Sequence, residues 1–281
     1  MVAVETPFRD FLALWERAAG RPAPEQVALW EEHYVARHRS LFDHYLGWFA
    51  VGGTVEEALP RYPAVVGELE DRFAALEVER SAREVGELFG VDRDERAIAF
   101  VGVFSANAWM DAFEGEPTVF FALEADPARS WHRATAVHEL AHLAHERARG
   151  SAWDDETPGL TLMQEGVAIA ATRRLVPDAG EALHFTVDDF AAYEAACRPA
   201  WPDAARKLLA CLDRPDARML QRFFWPDWGR EERDVPERIG YFAADRVVQA
   251  LLDGRDLAEL ARWPQERVLA EVRATLETVA A

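Results

Sequence analysis

Apolar residues recur at spacings of three and four from Pro24 to Phe49 and from Val55 to Phe89, with breaks at Gly52-Gly53, Pro60 and Pro63. That is the period of amphipathic helices, and it predicts an N-terminal helical lobe over residues 1–95. The pattern then changes. Arg96 to Phe104 and Pro117 to Glu124 are short apolar runs rich in β-branched and aromatic residues, bounded by charged or turn residues, and both are predicted strands. Asp126-Pro127 follows with a capping carboxylate and a proline suited to a first helical position. Neither Gly nor Pro interrupts the chain from Ala128 to Arg149, and Gly150 closes it, so a helix is predicted from Pro127 to Arg149. A second apolar helix is predicted from Leu160 to Leu175, and further ones at Val187–Arg198, Pro202–Leu212, Glu237–Leu252 and Asp256–Val279. The fold class expected is α+β and mostly helical, with a small sheet. Residues 96–176 hold the sheet and two consecutive helices, and 177–281 form a C-terminal helical part of the same region.

The chemistry sits in the first of those two helices, as His138-Glu139-Leu140-Ala141-His142. Helical residues four apart lie on one face, so both imidazoles can reach one metal ion while Glu139 stands beside them. Neutral imidazole suits Zn²⁺, and a catalytic zinc keeps a position for water whose pKa it lowers to about 7. Two histidines do not complete such a site. His145 lies on the same face, but seven residues place it about 10 Å along the axis from His138, too far to share an ion. It is expected at the surface or in support of the ligands. Glu165 is the better third ligand, because a carboxylate on an apolar helix is costly to bury unless something compensates it. A solvent-facing Glu on an amphipathic helix is the plain alternative.

HExxH, an interval of some two dozen residues, and Glu165-Gly166-Val167-Ala168 together resemble the gluzincin arrangement of zinc metallopeptidases. The chain is most similar to the YjaZ-like family of predicted Zn-dependent proteases, over residues 96 to 260. The resemblance implies a zincin-like fold, with the sheet next to the HExxH helix and helical lobes on either side. It implies His138, His142 and Glu165 as zinc ligands and Glu139 as base and proton shuttle. It makes Tyr241, in the Gly-Tyr element of Arg238 to Leu252, a candidate donor to the oxyanion. Ser105-Ala106-Asn107-Ala108-Trp109 resembles the segment by which some gluzincins bind extended substrate, which would give that role to Asn107 and Ala108. The plain reading of those five residues is a hairpin loop. Ile169 stands where thermolysin-type members carry an Asp that orients a zinc-bound His, so that partner is unassigned among Asp154, Asp155 and Glu156. His145 and Ala148 occupy the positions that a metzincin would fill with Gly and His, which excludes that subclass.

Two rival readings use the same residues. Glu139-x-x-His142 and Glu181-x-x-His184 match the pairing found in di-iron carboxylate bundles, although Pro177 to Gly180 breaks the chain just before the second pair. A zincin-like domain without activity, serving in binding or regulation, is the other. Composition narrows the partners. A net charge of −19 disfavours nucleic acid and anionic membrane as partners and leaves a peptide or protein as the substrate expected. Cys197 and Cys211 read as small core residues. The acidic N-terminal segment lacks the charge and apolar run of a signal peptide, and the protein is expected in the cytoplasm. His33, His38 and His44 share no helical face and are expected to be surface or structural, while Trp15, Trp30 and Trp48 read as core. The cluster from Phe223 to Gly229 could wall a cleft or plug a gap, and Arg222, Arg230 and Arg233 are expected to be solvated. The reading as a whole is zinc-dependent hydrolysis of a peptide bond by a Glu139-activated, zinc-bound water. Substrate identity and oligomeric state are not set by the sequence.

Overall fold

A computed structural model describes residues 2–49, 53–92, 95–125, 132–150, 153, 156–225 and 234–280. Asp126-Pro127, the side chain of Trp48, Asp154, Asp155, residues 226–229, Arg230 and Arg233 lie outside them. The chain is α+β, 66% helix with a small four-stranded mixed sheet. It divides into two compact units, residues 1–83 with 93–139, and residues 84–92 with 140–281.

The first unit holds the sheet. Its strands are β1 (Val2–Glu5), β2 (Glu95–Phe100), β3 (Ala108–Phe113) and β4 (Glu116–Ala122), in the order β1-β2-β4-β3. β1, β2 and β4 run parallel, whereas β3 pairs antiparallel with β4 at the edge. Glu114 and Gly115 make the tight turn between β3 and β4, both in the left-handed region at φ 53° and 85°, which matches the twist of the two strands. Neither β1 nor β3 is anticipated by the hydrophobic pattern. β1 is four residues long, and Ala-Trp-Met-Asp-Ala-Phe lacks the β-branched residues that mark a strand. α1 (Pro7–Ala18) and α3 (Arg39–Phe49) pack against β2, with α2 (Ala23–Trp30) between them in the chain, and α4 (Val55–Ala58), α5 (Tyr62–Val65), α6 (Leu69–Leu76) and α7 (Val78–Phe89) follow, the last running into the second unit. Phe11 gathers Trp30, Tyr34 and Tyr62 at ring distances of 5.7, 5.7 and 5.0 Å. Trp30 is thus core as expected, and Trp15 is half-buried against Phe11 and Tyr62. His38 and His44 are structural, facing Asp10 at 2.8 Å and Asp111 at 3.3 Å.

The strand predicted to reach Phe104 leaves the sheet after Phe100, because side chains take over its backbone groups. Tyr34 Oη accepts from Val101 N, Tyr45 Oη accepts from Val103 N, and Tyr62 Oη donates to Gly102 O. Glu124 Oε1 accepts from Phe104 N at 3.0 Å. Gly102 is obligatory here, since a Cβ would lie 2.5 Å from Tyr45 Oη. Glu124 is fully buried, and burial pushes its carboxyl up to about 7 against the backbone N–H groups that favour the anion.

In the second unit the elements are α8 (Arg133–Arg149, which begins in the first unit), α9 (Pro158–Leu175), α10 (Glu181–His184), α11 (Phe190–Leu209), α12 (Ala217–Phe224), α13 (Ile239–Leu251), α14 (Leu257–Leu260) and α15 (Gln265–Ala280). α9 is its core helix, buried from Pro158 to Met163 and from Gly166 to Thr172. Glycines let its neighbours close on it. A Cβ on Gly159 would meet Leu269 and Leu212 at 2.8 and 2.9 Å, and one on Gly166 would meet Ala244 O and Val248 Cγ2 at 2.4 Å. Arg173 bridges buried Asp245 of α13 and Glu181 of α10. Cys197 and Cys211 are free and buried, as expected. The helices predicted at Val187–Arg198 and Pro202–Leu212 are one, α11, with Pro199 and Pro202 inside it. Residues 195, 198, 199 and 202 are exposed, so water can take the carbonyls the prolines leave unbonded. The helix predicted from Asp256 is instead split before Pro264, whose carbonyl starts α15 by accepting from Val268 N. No helix among the described residues is long and apolar enough to cross a membrane.

The Glu124 carboxyl makes stability depend on pH. Its folded value lies above the ordinary 4.5, so the folded state holds a proton that the unfolded chain has lost, and stability falls as pH rises from about 4.5 to about 7. At about 1.4 kcal/mol per unit, the loss approaches ~3 kcal/mol. Glu124→Gln is expected to match the wild type in thermal melts near pH 5 and to exceed it at pH 8. A difference that does not vary with pH would refute this.

Candidate metal centre

Two helices bring the candidate ligands together. In α8, His138 and His142 stand one turn apart and are nearly buried, at 9% and 7% exposure. α9 starts at a fixed point, with Thr157 Oγ1 accepting from Leu160 N and Pro158 in its first turn. Successive helical residues are turned by about 100°, so with Gly166 against α13, Glu165 is left to face elsewhere. It faces α8: Glu165 Oε2 lies 3.7 Å from His142 Nε2. One nitrogen each of His138 and His142 and one oxygen of Glu165 all lie within 4.8 Å of one another.

The group is compact enough for one ion. Ligands at ~2.0–2.2 Å from a zinc stand about 3.4 Å apart, close to the separation of His142 and Glu165. The donor set, two imidazole nitrogens and a carboxylate oxygen, is one that zinc accepts while keeping a fourth position open. Glu139 is half-buried, next to His138 on the same helix. Among the described residues, no other group of three His, Cys, Asp or Glu converges in this way.

The remaining candidates are placed elsewhere in the chain. Tyr241 lies in the first turn of α13, half-buried, with Phe224 at 6.0 Å and the Arg238 guanidinium 4.3 Å over its ring. Asn107 immediately precedes β3, its side chain accepting from Ala108 N, and Ala108 is the first residue of that edge strand instead of part of a hairpin loop. Ile169 is buried, and Glu156 is exposed. His145 departs from the surface position entertained for it: it is 1% exposed, its ring edge-on to Trp153 at 5.4 Å. Burial holds its imidazole well below the usual range. Glu181 is taken by Arg173, and His184 Nε2 lies 3.0 Å from Val176 O, so the second Glu-x-x-His pair is engaged in packing. Arg222 is paired with Asp234 and not merely solvated. Phe223 and Phe224 are buried against Gly240, while Trp225 is exposed. Sequence reasoning missed the packing role of Gly166 and the contact between His145 and Trp153. Small residues every few positions along α9 were the available clue to the first.

No family model, curated protein or solved structure matches the chain significantly.

Two outcomes follow from this geometry. Gly166→Val must displace α13 or α9 and is expected to cost at least about 2 kcal/mol in denaturant unfolding, the scale of overpacked cores. Elemental analysis of purified protein is expected to give one zinc per chain in wild type and in His145→Phe, which keeps a ring against Trp153. Glu165→Ala is expected to lose it, and zinc retained in that variant would show that Glu165 is not the third ligand.

Proposed function

We propose that the chain is a zinc-dependent peptidase of gluzincin type, similar to the YjaZ-like family, acting on a peptide or protein substrate in the cytoplasm. The observation that carries this reading is the convergence of His138, His142 and Glu165, with Glu139 on the same helix as both imidazoles. His138, His142 and Glu165 would hold a zinc ion there, and its chemistry would be that of a Lewis acid that lowers the pKa of water to about 7.

The chain's own residues do the rest. The Glu139 carboxylate takes the proton from the attacking water and delivers it to the leaving amine, so one group serves as base and then as acid. Near-burial of the ligands keeps bulk water from screening the charges that develop. β3 supports a place for substrate. It ends the order of strands in the sheet, so its outer edge offers backbone N–H and C=O groups to an extended peptide, beginning at Asn107 and Ala108. Tyr241 is the proposed donor to the carbonyl oxygen as it gains charge.

The test is Glu139→Gln, with peptide-library cleavage and zinc content measured side by side. Zinc is expected to stay at one per chain while cleavage falls by about 10²–10⁴-fold or more, the range attributed to a general base. Full activity in the zinc-loaded variant would refute the mechanism.

A further inference from the structure

The helix face that carries the ligands continues past them. From His142, His145 and Arg149 follow at three and seven residues, so all three lie within one stripe of α8. There Trp153 closes over His145 and Arg149. His145 meets the indole edge-on at 5.4 Å, and the Arg149 guanidinium carbon stacks 3.8 Å from the ring centre.

Ring packing accounts for these contacts but not for the polar atoms they enclose. Both ring nitrogens of His145, Nε of Arg149 and Nε1 of Trp153 are buried and have no hydrogen-bond partner among the described residues. Neutral His145 offers one N–H donor beside one acceptor nitrogen, so with Arg149 Nε and Trp153 Nε1 three buried donors gather here, and buried donors are as a rule paired with an acceptor. A cation in the last turn of a helix complements the helix dipole, which accounts for the charge of Arg149 but not for its buried Nε. Glu146 attracts Arg149 without neutralising the loss of solvent: burial lowers the guanidinium to about 10. In a chain of net charge −19, a half-buried arginine without an acid in contact among the described residues is a costly arrangement unless an anion reaches it.

We infer that His145, Arg149 and Trp153 form a carboxylate-binding subsite that holds an anionic group of the substrate beyond the scissile bond. The inference rests on the peptidase reading for its purpose. One guanidinium with neutral donors suits a single negative charge, and a planar fork matches a carboxylate. Arg149 lies seven residues, about 10 Å, along the axis from His142, which is roughly three residues of extended peptide. The carboxylate therefore belongs two or three residues past the bond that is cut. It is either the C-terminal carboxylate, so that short C-terminal fragments are released, or an Asp or Glu side chain at that distance.

Titration of zinc-free, full-length protein labelled with [15N]tryptophan tests this without hydrolysis, the Trp153 indole resonance being assigned by Trp153→Phe. Acetyl-triglycine is expected to move that resonance saturably and its C-terminal amide to leave it in place. Arg149→Gln is expected to weaken binding by about tenfold or more, and Arg149→Lys to restore part of it. A response to acetyl-Gly-Glu-Gly amide equal to that of the free acid would support the subsite with a side-chain carboxylate as its occupant. No saturable shift, an equal shift with chloride at matched ionic strength, or unchanged affinity in an Arg149→Gln variant with native circular dichroism would overturn it. Zinc content and cleavage, measured separately, report on the peptidase reading, so either can fail alone.

Discussion

A helix buried on nearly every side must find a partner for each polar atom it carries, and Pro158–Leu175 is such a helix. Gly159 and Gly166 let its neighbours approach to backbone contact, which excludes water along most of its length. Its polar gap is Gln164 and Glu165, half-buried between stretches that are closed. A carboxylate held at that place, 3.7 Å from an imidazole nitrogen, is costly alone and well served by a shared cation. The close packing that fixes the helix thus also fixes the direction from which Glu165 reaches the HExxH helix.

The first unit solves a related problem by other means. At the ends of its parallel strands the chain must leave the sheet while still inside the protein, where a bare peptide group is expensive. Tyr34, Tyr45, Tyr62 and Glu124 supply hydroxyls and a carboxyl to Val101–Phe104, and Arg72 donates to Leu123 O and Ala125 O. These side chains hold the loop that leads into the edge strand and the segment that leads out of β4. The cost is a carboxyl pushed up to about 7, so that it is only about half ionised at neutral pH, which ties the stability of this end of the sheet to pH.

Much of this was legible in the residues. The helix carrying HExxH declares itself by unbroken helical composition, and the spacing of His138 and His142 requires that they share a face. Glu165 was accessible too, because an acidic residue inside an apolar run calls for a reason. β3 was not legible, since its residues have weak strand propensity and its place depends on β4 and on a left-handed turn at Glu114-Gly115. The joining of two predicted helices into Phe190–Leu209 was also hidden, because whether a proline breaks a helix depends on which side of it water can reach.

By itself the sequence determined the class of structure, the HExxH helix and the residue types able to hold a metal, for these follow from periodicity and from chemistry local to the chain. Tertiary structure decided that Glu165 meets His142. It also decided that His145 is buried against Trp153 and not exposed, and that the N-terminal Val2–Glu5 joins the sheet. Each of these turns on how residues far apart in the chain, or on separate elements, pack and exclude water. No local pattern encodes that.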